Sequence, residues 1–89
     1  MGHPQFSREE IARRGQEVYD REIRAEVEGR FDGKIVVIDI ETGDYELDTS
    51  GLAASDRILS RHPGAALFGL RVGFPVVESF GGGLQPVKR

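Results

Sequence analysis

The stretch Lys34–Asp48, reading KIVVIDIETGDYELD, restricts this chain more than any other part of it. Its β-branched content and length predict a strand over 34–40. Glu41-Thr42-Gly43-Asp44 supplies a turn, and Tyr45–Asp48 alternates as a returning strand. With Thr42-Gly43 as a two-residue loop, Glu41 is expected opposite Asp44, Ile40 opposite Tyr45, Asp39 opposite Glu46 and Ile38 opposite Leu47. One face then carries Val36, Ile38, Ile40, Tyr45 and Leu47, an apolar surface for helices. The other carries Asp39, Glu41, Asp44 and Glu46. Like charges facing each other destabilise a sheet, so something must offset them. Water comes first in our ranking and an arginine second, with Arg71 of a later strand as the candidate. A divalent cation comes third, because several hard oxygen ligands on rigid strands suit Mg²⁺ or Ca²⁺.

The elements around this hairpin complete an α+β plan. Ser7 and Glu10 form a capping-box pair. From there to about Glu28, the apolar residues Ile11, Val18, Tyr19, Ile23 and Val27 make one helical stripe. Acid–base pairs at i,i+4 on the opposite side mark a solvated face. Gly15 weakens this helix and marks a point of close packing, and Gly29 ends it. Thr49 or Ser50 caps a second helix from about Leu52 to Arg61, stopped by His62-Pro63-Gly64. Residues 67–74 alternate as a third strand with Phe68, Leu70, Val72 and Phe74 on one side, and 76–80 form a fourth. The expected order is α-β-β-α-β-β, an antiparallel sheet with both helices packed on one face. Residues 1–6 are expected to be disordered, 7–80 to form one domain and 81–89 a glycine-rich tail.

Composition narrows the function classes. The chain has 89 residues, no cysteine and a net charge of −3. So short a chain has a limited core, and without cysteine neither disulfides nor thiolate metal sites can supplement it. A homo-oligomer or an obligate protein partner is therefore expected. The missing cysteines and the lack of a signal-peptide pattern point to the cytoplasm. No apolar run is long enough to span a bilayer. The arginines alternate with acids, so the basic stripe of a nucleic-acid binder is missing.

Short motifs carry the alternatives. Val37–Gly43 (VIDIETG) resembles the first motif of the DEDD exonucleases, in which Asp39 and Glu41 would bind metal ions for phosphodiester cleavage. That family needs further aspartates and a longer chain. Asp48-Thr49-Ser50-Gly51 resembles the D-T/S-G of aspartic proteases, but it is also what a strand-to-helix cap looks like. Neither the two histidines nor the serines form a metal or nucleophile constellation.

The segment from Phe6 to Phe80 resembles a small family of bacterial proteins, many of them from cyanobacteria. The resemblance lies in Arg14-Gly15-Gln16, Tyr19, Ile23-Arg24, Val36–Glu46, Leu52–Arg57, Arg71-Val72-Gly73 and Phe80-Gly81-Gly82. It implies an accessory or antitoxin-like half of a two-gene unit. The expected function is a non-enzymatic protein-interaction module without cofactor or metal. Its expected recognition patch is Asp39, Glu41, Asp44, Glu46 and Arg71. The alternatives are a metal-dependent phosphodiesterase using Asp39 and Glu41, and a DNA-binding repressor.

Overall fold

The computed structural model describes residues 5–74. Ser7 caps the first helix, its Oγ accepting the Glu10 N–H at 3.0 Å, while the Glu10 carboxylate pairs with Arg14 at 3.5 Å. Helix α1 (Arg8–Val18) runs into a π-helical turn (Tyr19–Ile23) and then α2 (Arg24–Val27), so the single regular helix expected from the stripe is interrupted. The apolar spacing explains why. At 3.6 residues per turn, Ile23 and Val27 would lie more than about 100° around the axis from Ile11 and Val18. A π turn holds one extra residue and winds the later positions back by about that angle. Val18, Tyr19, Ile23 and Val27 are all buried as a result. Gly29, at φ +86°, ends the helical run, and the Val27 carbonyl accepts the Phe31 N–H at 2.9 Å.

Strands β1 (Ile35–Asp39), β2 (Tyr45–Asp48) and β3 (Leu67–Arg71) form an antiparallel sheet in the order β2-β1-β3. Val36 and Ile38 of β1, with Phe68 and Leu70 of β3 and the adjoining Val72, pack under the N-terminal helices as one apolar cluster. Gly15 sits where α1 crosses β3. A Cβ there would overlap the Phe68 ring, so the close-packing reading of this glycine holds. The alternation of β3 also holds through Val72. It ends at Gly73, whose φ of +84° turns Phe74 out to solvent.

Helix α3 (Gly51–Arg61) does not join the others. Ala54 and Ile58 pack on Val37, with Ile35 and Leu67 at the margin, and these side chains point to the opposite side of the sheet. The expectation of two helices on one face is therefore corrected to a sheet with helices on both. The cause is in β1, where Val36, Val37, Ile38 and Asp39 are all buried. Consecutive β-branched residues without a polar alternate describe a strand covered on both sides. The mixed α+β class and antiparallel pairing stand, while the predicted fourth strand and tail fall outside the described residues.

Candidate functional site

Asp39 decides how the hairpin closes. Its Oδ1 accepts the Glu41 N–H at 2.9 Å and the Thr42 N–H at 3.4 Å. The Asp39 carbonyl accepts the Gly43 N–H at 2.8 Å, with Gly43 at φ +82°. Side-chain capping of this kind favours a turn. The loop therefore begins at Ile40, two residues earlier than expected, and ends before Asp44. Ile38 pairs with Tyr45, Val37 with Glu46, Val36 with Leu47 and Ile35 with Asp48. The register differs by two from the expected one. An even shift leaves each side chain on its predicted face.

The acids do share a face, but α3 lies over it. Arg57 Nε donates to Glu46 Oε1 at 2.8 Å, and its Nη2 donates to Asp48 Oδ2 at 3.1 Å. One helical turn later, Arg61 Nε donates to Asp44 Oδ2 at 2.9 Å and its Nη1 to Glu46 Oε2 at 2.7 Å. The two elements match in rise. Alternate residues of a strand are about 6.6 Å apart and helix residues four apart about 6 Å. Running antiparallel to β2, α3 thus sets each arginine between two successive carboxylates. The Arg61 hydrogen bond holds Asp44 below its ordinary pKa of 3.8, and His62 adds to this. Arg57 and then Arg61 hold Glu46 below its ordinary 4.5. The Ser50 amide and then Arg57 lower Asp48 in the same way.

His62 closes the ladder. Its Nε2 is 3.0 Å from Asp44 Oδ2, and its Nδ1 is 3.9 Å from Asp39 Oδ2. Asp39 itself is only 2% exposed. The five residues expected as a recognition patch take different positions. Asp39 is buried beneath the α3 end of the sheet, Asp44 and Glu46 are bonded within the chain, and Glu41 stands exposed in the loop. Arg71 neutralises none of them. It donates to the Gly33 carbonyl at 2.9 Å and lies 5.8 Å from the centre of the Phe74 ring. The offset expected from an arginine is real, but Arg57 and Arg61 provide it. The i,i+4 spacing of these two arginines, set against acids at every second position from Asp44 to Asp48, was the signal in the sequence.

The short motifs take structural positions among the described residues. Asp39 spends one carboxylate oxygen on the backbone amides of Glu41 and Thr42. Among the described residues no group of three or more His, Cys, Asp or Glu is placed to hold a metal ion. Asp48-Thr49-Ser50-Gly51 is a cap: Asp48 Oδ1 accepts the Ser50 N–H at 2.8 Å, and Ser50 Oγ accepts the Ala53 N–H at 3.2 Å. Ser60 Oγ donates to the Arg57 carbonyl.

Two concavities lie on either side of the sheet. One, of about 410 Å³, lies beside the π turn between Gln16, Tyr19, Arg24 and Glu28 on one wall and Arg71 and Phe74 on the other. Its polar groups are largely satisfied from within. Tyr19 donates to Glu28 at 2.9 Å, and Arg24 pairs with both Glu28 and Asp20. Burial and then the Glu28 bond push the Tyr19 phenol well above its ordinary pKa. The other, of about 360 Å³, is an apolar groove on the α3 side of the sheet, lined by Ile35, Val37, Leu67 and Gly69 and by Gly51 and Ser55 of α3. Among the described residues α3 packs chiefly on β1 and β2, and the groove lies beside it over β3. Leu52, 74% exposed, and Leu59, 37% exposed, flank Ser55 at i,i+3 and i,i+7 along the helix margin next to the groove. Apolar groove and apolar ridge are thus neighbours. No protein-family model matches the chain, and comparison with curated proteins and with solved structures finds no match.

Proposed function

We propose that this chain is a protein-interaction module without catalytic chemistry of its own, acting through the apolar strip formed by the α3 ridge and the groove beside it. One observation supports this reading most: large leucines stand in solvent beside an apolar groove that no element among the described residues fills, while Arg57 and Arg61 of the same helix are paired with Glu46 and Asp44. Contiguous exposed apolar surface on a small domain marks a place where another chain binds. An accessory or antitoxin-like role in a two-gene unit, in the cytoplasm, is the setting we propose from the family resemblance. The test is capture from native cell extract with the tagged chain and with its Leu52→Glu/Leu59→Glu variant. The expected result is at least one polypeptide, untagged copies of this chain included, held by the first and lost from the second. Capture of no polypeptide that depends on these leucines would refute the reading.

A further inference from the structure

Resting on that reading, we propose that the occupant of the strip is a second copy of this chain, each copy seating its Leu52–Leu59 ridge in the other's groove across Gly69. The argument begins with where the two shapes lie. A twofold interface uses the same patch on both copies, so the patch must complement itself. A foreign partner requires only a ridge or only a groove. Here the two lie side by side: Leu52, Ser55 and Leu59 along one margin of α3, and Ile35, Val37, Leu67 and Gly69 in the adjoining depression. A twofold axis running between them brings ridge to groove twice.

Gly69 adds to the fit. It lies mid-strand opposite Val37, on the groove face of β3, and offers no side chain to block an incoming leucine. The charges follow the same logic. Asp56 is exposed on the ridge, one turn beyond Leu52, and makes no ion pair among the described residues. Arg71 is exposed on the groove strand and has no carboxylate partner among the described residues. An acid on the ridge and a base on the groove strand attract when the ridge of one copy enters the groove of the other. Complementary charges of this sort fix register more than they add affinity. The chain's modest core also makes self-association a natural source of added stability.

The experiment uses the full chain, pure, in sedimentation equilibrium across a concentration series. The expected species has twice the 9.8 kDa chain mass. Leu52→Glu should weaken the dimer about 30-fold or more, as loss of a central apolar anchor does, with the circular dichroism of the folded chain retained. Asp56→Arg and Arg71→Glu should each weaken it about tenfold, and the double exchange should recover most of the loss. A change confined to local structure would give no such recovery. Because the chain has no cysteine, Ser55→Cys supplies a unique probe in the groove. In the dimer it should be shielded from a bulky maleimide and become reactive on dilution. A monomeric wild type overturns the proposal. If its Ser55→Cys is then shielded at every dilution, the chain's own residues beyond 74 cover the groove. If it reacts freely while capture from extract still succeeds, a different protein is the occupant and the interaction reading survives alone. A dimer indifferent to Leu52→Glu and to both charge reversals would also overturn it.

Discussion

Val36 and Ile38 face a continuous apolar layer under α1, the π turn and α2, whereas Val37, between them, packs in a small cluster with Ala54 and Ile58, Ile35 and Leu67 at its margin, and has carboxylates for neighbours. The first side of the sheet is closed by dispersion and dehydration, which care little about pH or salt. The second is closed along β2 by an ionic ladder, and along β3 no element among the described residues closes it. Exposed ion pairs are worth about 0–1 kcal/mol each, so the ladder orients α3 more than it stabilises the fold. What the difference teaches is that a short chain can hold one side rigid and keep a helix on the other available for contact.

Removing core volume should separate the two sides most strongly. Ile38→Ala is expected to cost near the top of the usual range of about 2–5 kcal/mol, and Ile58→Ala near the bottom, because the smaller cluster can relax beside the groove. Urea denaturation compares them, and equal costs would break the contrast. Gly15→Ala comes next. The added methyl meets Phe68, and overpacking of this kind costs about 1–3 kcal/mol. Combining it with Phe68→Leu should return part of the loss, which would place the strain at that crossing. Smaller again is the ladder: Arg57→Ala should lower stability only slightly in dilute buffer, with the difference from wild type shrinking in 1 M NaCl.

The last effect is in pH. Asp44 and Glu46 have folded pKa values below their ordinary 3.8 and 4.5. Their stabilising effect is therefore complete above the unfolded values and is lost as pH falls through the lower folded ones. Thermal melts between pH 5 and pH 3 should show a decline that Arg57→Ala/Arg61→Ala flattens. A decline of the same slope in that variant would take the ladder out of the explanation.

Much of the scaffold was legible in the sequence. Ser7 and Ser50 announced their helix starts because a cap is a local event involving two or three residues. Face assignment in the hairpin also survived, since alternation depends only on the strand's period of two. The register did not, because the choice between a two-residue loop and a longer one rested on Asp39 bonding back to Glu41 and Thr42, which competes with pairing of Asp39 and Glu46. The placement of α3 was missed for a related reason. Treating Asp39 as a surface acid made its whole face look wet, although Ile35 and Val37 lie on that face too. The apolar strip was missed because it belongs to no motif. Leu52 and Leu59 read as ordinary helix residues until the groove beside them is seen.

The π turn has a consequence for how the gene can drift. Between Val18 and Ile23 the helix holds one residue more than its path along the sheet requires, so loss of a single codon among Asp20, Arg21 and Glu22 would convert the turn to regular α geometry and leave Ile23 and Val27 facing the sheet. Loss of one codon at Arg13 would instead leave Gly15 against Phe68 and rotate the preceding turn by about 100°, taking Ile11 off the core. Length variation in related genes should therefore collect at the first location and avoid the second.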